Sequence, residues 1–357
     1  MPRLTLVIPD LYPARQSLDG QAALPRLPAL ERWLARGQAQ GLEADWRDWL
    51  LARHAPAWRE AGPAAVAAAA HPGAAVAAGA GQGWWLATPV HFVAGLDTLR
   101  LHPSGLLPLP LADQQALAAD FARVFAGSGW LLVPSGRREL LLLGPAAAAR
   151  TTDPARWLGA DPAAGLPAGP GAAPLKRLGA ELEMWLHEHA VNGARARRGQ
   201  LVATALWLWG AGPGAGPGEG PGAGDGAGPA KGDVAAAGQS LALHGADAFL
   251  DGLAAVTGVA PPAQPATLAA ALAAADGAAP GGEVLAVLGG GEPLSPERLA
   301  QWEQDWFAPA VRQWEAGRWQ SLTLACGPGS WHARRGLGAA WRGWRATGPW
   351  WERLLAC

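Results

Sequence analysis

Residues 4–8 form an unbroken apolar run that stops at Pro9, the pattern of a strand buried on both faces as in a parallel sheet. Leu27, Leu30 and Leu34, with Trp33 beside them, then recur at helical spacing and end at Gly37, which predicts a short amphipathic helix closed by glycine. A second helix is written by Leu117, Phe121, Val124 and Phe125, with Asp113 near its start and Gly127 past its end. Residues 130–133 and 140–143 read as two strands joined through Pro134, Ser135 and Gly136, a hairpin in an inserted subdomain.

The strongest helical pattern follows. Leu178, Leu182, Trp185, Leu186 and His189 fall on one face, so the helix ends near His189. Residues 201–209 form a strand-like run. Residues 240–243, 284–288 and 321–325 are further short strands, separated by alanine-rich helical stretches. Strand and helix alternate through the chain, which predicts an α/β fold. Residues 210–231 are almost wholly Gly, Pro and Ala and read as a disordered surface loop.

Composition narrows the function. The 28 basic and 29 acidic residues of the 357 nearly cancel, which leaves no broad basic face for nucleic acid. Cys326 and Cys357 stand far apart, outside any paired-cysteine metal spacing or disulfide framework. No segment has the length and apolarity of a membrane span or a signal h-region, so a soluble, cytoplasmic protein is expected. Nine of the 20 tryptophans lie after residue 300. They are core residues, or an interaction module if they are exposed.

The segment ELEMWLHEHAVNGARARRGQLVATALWLWGAG, residues 181–212, resembles a signature of the cofactor-independent phosphoglycerate mutases of the alkaline phosphatase superfamily. In the archaeal-type branch a helix ends in H-P-V-N, followed by Arg, Gly and a strand closing on W-L-W-G-x-G. His189, Val191, Asn192, Arg195, Gly199, Trp207, Leu208, Trp209, Gly210 and Gly212 stand in those places, with Ala190 where the proline would be. LPRLPALERWLARG, residues 24–37, is similar to the helix after the first strand of that superfamily. WWLATPVHFVAGLDTLRL, residues 84–101, is similar to a segment of a degenerate bacterial branch, some members of which are labelled RpfE-type regulatory proteins.

The resemblance implies an alkaline phosphatase-like, doubly wound, mostly parallel sheet flanked by helices, with a smaller inserted α+β subdomain. Residues 1–82 and 185–357 would form the core and 83–184 the insertion. It also implies phosphoryl transfer between 3- and 2-phosphoglycerate by a Ser or Thr nucleophile and two divalent metals, Mn or Mg, held by Asp and His.

This sequence departs from that chemistry. No Ser or Thr lies between Ser17 and Thr88, and Thr88 belongs to the W-L-x-x-P-V-H run instead of a strand-to-helix turn. Asp10, Glu292 and His332 are the remaining candidate ligands, too few for a pair of metal sites, so no metal and no cofactor are expected. His187 and His189 are two apart on a helix and point to different faces, which favours a structural role over chelation. His189, Asn192 and Arg195 are the candidate ligand-binding residues, Arg195 because its planar fork suits a phosphate or carboxylate. Trp207 and Trp209 read as strand packing. The sequence thus points to a non-catalytic, mutase-like protein with a regulatory role, binding a phosphorylated metabolite or a protein partner and open to oligomerisation. The alternative is an active metal-dependent phosphoglycerate mutase.

Overall fold

The computed structural model describes residues 1–9, 11, 24–42, 45–71, 81–95, 98–212, 241–274, 282–289, 294–326, 329–334 and 347–355. In chain order the elements are β1 Arg3–Val7, α1 Pro28–Arg36, β2 Gln38–Gly41, α2 Trp46–His54, α3 Gly62–Ala68, β3 Gln82–Ala94, β4 Leu99–Leu106 and α4 Leu111–Val124. Next come β5 Leu131–Val133, β6 Leu140–Pro145, α5 Ala172–Glu188, α6 Ala190–Arg197, β7 Ala205–Trp209, β8 Leu241–His244 and α7 Ala248–Thr257. The chain closes with α8 Leu268–Ala274, β9 Glu283–Val287, α9 Pro296–Trp302, α10 Ala308–Glu315, β10 Ser321–Cys326, β11 Gly329–Arg334 and α11 Trp350–Leu355. Each predicted strand and helix has a counterpart, though the strand expected over residues 201–209 is confined to Ala205–Trp209. The Gly/Pro/Ala tract from residue 213 onward lies outside the described residues.

Two compact units result. The first comprises Met1–Trp49, Ala237–Ala246 and Val259–Cys357; the second comprises Leu50–Ala236 and Asp247–Gly258. The expected core of residues 1–82 and 185–357 is divided otherwise here, with residues 50–82, 185–236 and 247–258 grouped with 83–184. The reason is pairing: β7 joins β3 antiparallel, Thr88 opposite Trp207, and α3 packs on β3 and α7.

The first unit holds a six-stranded sheet in the order β2-β11-β10-β1-β9-β8. β8, β9, β1 and β10 run parallel, while β11 and β2 are antiparallel. One face is apolar. Leu4, Leu6, Val284, Ala286, Leu322, Leu324 and Trp331 meet residues of α1, α8, α9, α10 and α11 there, in one buried cluster. The continuous turn Glu303–Phe307 between α9 and α10 is a π-helix, and its wider register brings Trp302, Trp306 and Phe307 into that same cluster. Glu303 also caps α1, whose own N-cap, Leu27, carries no acceptor. The carboxylate takes the N–H groups of Ala29 at 2.6 Å and Leu30 at 3.3 Å. Burial pushes its pKa up against the pull of those donors.

Of the nine late tryptophans, Trp302, Trp306, Trp314, Trp319, Trp331 and Trp350 are buried in this cluster and Trp351 is half-buried, whereas Trp341 and Trp344 lie outside the described residues. Each such ring contributes about 1.5–3 kcal/mol by leaving water. The interaction-module reading therefore gives way to core packing.

The second unit is built on an antiparallel sheet, β4-β3-β6-β5 with β7. Leu86 pairs with both Leu141 and Trp209, and Val90 with both Leu106 and Ala205, so β7 takes one edge of the 13-residue β3 and β6 and β4 share the other. Both faces are buried. Trp85, Ala87, Leu206 and Leu208 pack under α4 and α5, and Trp84, Leu86, Trp207 and Trp209 pack with Ala64, Ala67 and Ala248 of α3 and α7. The fold is therefore mixed α/β, with one largely parallel sheet and one antiparallel sheet in place of a single parallel one. Val124, expected in the core, is exposed, and Leu117 and Phe121 alone carry the buried stripe of α4 toward its end.

Candidate functional site

Two of the signature residues, Asn192 and Arg195, converge on one irregular stretch, residues 201–204, just before β7. Arg195 Nε donates to Leu201 O at 2.8 Å, and His91 Nδ1 donates to Val202 O at 2.8 Å. Asn192 Nδ2 donates to Ala203 O at 2.7 Å while its Oδ1 accepts Ala203 N–H at 2.8 Å. Thr204 N–H then bonds Val90 O at 2.8 Å, and its Oγ1 accepts Phe92 N–H. Three consecutive carbonyls are thus each read by a side chain from elsewhere, because an irregular, partly buried segment has no ladder to satisfy them.

Asn192 and Arg195 are both buried. Asn192 Nδ2 also donates to Leu186 O at 2.7 Å, tying the end of α5 to the same stretch. Arg195 NH1 reaches Pro108 O at 3.4 Å. Burial lowers the guanidinium's pKa, Asp113 pulls it back up and Arg198 lowers it further. Of the candidate ligand-binding residues, Asn192 and Arg195 meet on this stretch with their donors turned onto the chain's own backbone.

His189 ends α5 and begins α6. Its Nδ1 accepts Val191 N–H at 3.1 Å as the N-cap of α6. His187, two positions earlier, lies within α5. Burial pushes the His189 pKa down, and Asp120, 3.7 Å from Nε2, opposes this.

The W-L-W-G-x-G strand is held with equal economy. Trp209 Nε1 donates to Thr88 Oγ1 at 2.9 Å, and Trp207 Nε1 to Thr152 O at 2.8 Å. Thr88 is fully buried mid-strand. Its hydroxyl serves as an indole acceptor. Past the strand, Gly212 lies so close to residues 60–61 that a Cβ would sit 2.0 Å from Glu60 O, and Gly62 faces it at φ +79°. Only glycines permit this crossing.

In the first unit, His332 is opposite Thr323 on β11. Its Nδ1 lies 3.2 Å from Thr323 Oγ1 and its Nε2 2.9 Å from Ser330 Oγ. Hydroxyls either donate or accept, so they satisfy both neutral tautomers of the ring. Across the sheet, Thr5 pairs with Thr323 and donates to Glu283 Oε1 at 2.6 Å, and Arg3 stands 3.8 Å from Glu283. Thr5, Glu283, Ser321, Thr323 and Ser330 are buried. They form a polar cluster on the face opposite α1 and α10, beside the buried apolar Val7, Leu285 and Val287. Sequence reasoning missed it by reading residues 321–325 as an apolar run, although Ser321 and Thr323 alternate with Leu322 and Leu324 at the strand period. His91 was also missed as a holding residue. Asp10 and Glu292 lie outside the described residues, so His332 is the one candidate metal ligand whose surroundings are defined.

No protein-family model matches the chain, and no curated protein gives a significant match. Among solved structures, the chain is similar to a cofactor-independent phosphoglycerate mutase from Thermoplasma acidophilum, at 15% identity and a TM-score of 0.36, over 95% of this chain and 95% of that one. It is similar also to the PH0037 protein from Pyrococcus horikoshii, at 13% identity and a TM-score of 0.45, over 94% of this chain and 88% of that one. No helix among the described residues is long and apolar enough to cross a membrane.

Proposed function

We propose that this chain is a non-catalytic phosphoglycerate mutase-like protein of the degenerate bacterial branch that includes RpfE-type regulatory proteins. In this reading it acts by binding a phosphorylated metabolite or a protein partner. The parallel strands β8, β9, β1 and β10 are then what remains of an alkaline phosphatase-like core, and the antiparallel unit corresponds to the insertion.

The observation that supports the reading is the engagement of the signature side chains. Asn192 and Arg195 hold residues 201–203, and the Thr88 hydroxyl takes the Trp209 indole, so each serves folding. A buried group already hydrogen-bonded gains little by exchanging that partner for a ligand. A bound metabolite would then be held by residues other than these.

The test is direct. Purified full-length protein is assayed for interconversion of 3- and 2-phosphoglycerate with Mn or Mg, and for binding of 3-phosphoglycerate by calorimetry. No turnover is expected with either metal. Metal-dependent turnover that His332→Ala removes would overturn the proposal in favour of an active mutase.

A further inference from the structure

One imidazole joins α5 to α6, and it is poised between two partners. His189 Nδ1 accepts the Val191 N–H at 3.1 Å, which requires an unprotonated Nδ1 and places the ring hydrogen of the neutral form on Nε2. Nε2 faces Asp120 Oδ2 across 3.7 Å, too long for a hydrogen bond and within ion-pair reach once the ring is charged. Asp120 is held for that purpose. Its Oδ2 accepts Trp185 Nε1–H at 2.8 Å and its Oδ1 accepts from Arg123. Those two bonds keep the carboxyl below its usual range, so it stays ionised while the imidazole titrates. The ring itself packs edge-on against Trp185, centroids 5.1 Å apart.

We propose that His189 is a proton-operated latch on α6: when neutral it caps the helix, and when protonated it releases the cap and turns to Asp120. The second hydrogen arrives on Nδ1 and points at the Val191 N–H, so two donors face each other and the first turn of α6 loses its acceptor. The imidazolium gains the Asp120 carboxylate in return. α6 carries Asn192 and Arg195, and through them the change reaches residues 201–203 and β7, which is bonded to β3 alone among the described strands.

Asp120 on α4 faces the ring and is itself paired with Arg123, while the two helices that His189 joins carry His187 and Glu188 on α5 and Arg195 and Arg197 on α6. Asp120 is the one whose charge acts on His189, and it opposes the effect of burial, which is the larger. The latch therefore opens on the acid side of the ordinary histidine range.

Two measurements on the full-length protein test this. Imidazole 15N spectra should show the Nε2–H tautomer near pH 8 and a charged ring near pH 5. Amide exchange at Val191 and Asn192 should match between wild type and His189→Asn near pH 8, since asparagine caps without titrating. Near pH 5 protection in the wild type should fall about five-fold below that of the variant, the size of one lost cap. Asp120→Asn should move the imidazole midpoint lower. A ring that stays neutral at pH 5, or one that charges while Val191 protection still matches His189→Asn, would overturn the proposal.

Discussion

Asn192 and Ala203 exchange two hydrogen bonds, side chain to backbone, 2.7 Å in one direction and 2.8 Å in the other. The amide thus imitates a strand neighbour for a residue that has none. Asn192→Ala removes this pair and the bond to Leu186 O together, leaving buried backbone groups without partners. A loss of about 2–4 kcal/mol is expected, read from the midpoint of urea unfolding.

Arg195→Lys keeps the charge and discards the planar fork that reaches Leu201 O and Pro108 O. The protein should lose about 1–3 kcal/mol of stability while any affinity for 3-phosphoglycerate is unchanged. The opposite outcome, intact stability with weakened binding, would return Arg195 to a ligand-binding role.

Gly252 lies on α7 where a Cβ would come within 1.9 Å of Val66 O on α3. In an exposed helix Gly→Ala stabilises by about 1 kcal/mol. Here Gly252→Ala should destabilise by about 1–3 kcal/mol through forced separation of the two helices, and the reversed sign in a denaturation curve is the diagnostic.

Acid should weaken the fold through its histidines. His71, His102, His189 and His244 are all held below the ordinary value, burial being the first cause in each, with Asp251 opposing it at His71 and His91 adding to it at His102. The unfolded chain binds these protons first. Stability is therefore full above about pH 6.5 and declines as pH falls from there toward the lower folded-state values. His244 is the cleanest probe, since it is buried and neither ring nitrogen has a hydrogen-bond partner among the described residues. His244→Leu should match or exceed wild-type stability and flatten the acid slope measured between about pH 7 and pH 5.

Local periodicity carried the elements themselves. β1, β9 and β10 stand out as short, largely apolar stretches, and α5 shows its stripe from Leu178 to Leu186. What it could not carry was pairing over distance. β7 looks like any core strand, and only its partnership with β3, Thr88 against Trp207, assigns it to the antiparallel sheet. In the other sheet the alternation of Ser321 and Thr323 was visible locally, but the polar cluster they join was not. Thr5, Thr323 and His332 are far apart in sequence and become neighbours through register alone. His189, Asn192 and Arg195 were recognisable as a group, but the backbone groups they engage were not.

The three carbonyls at Leu201, Val202 and Ala203 are gripped by His91, Asn192 and Arg195 without reference to what side chains the stretch carries. Sequence drift should accordingly be one-sided. In a saturation mutagenesis screen, Leu201 and Val202 should accept many replacements and Ala203 all but proline and bulky ones, whereas the three distant holders should accept almost none.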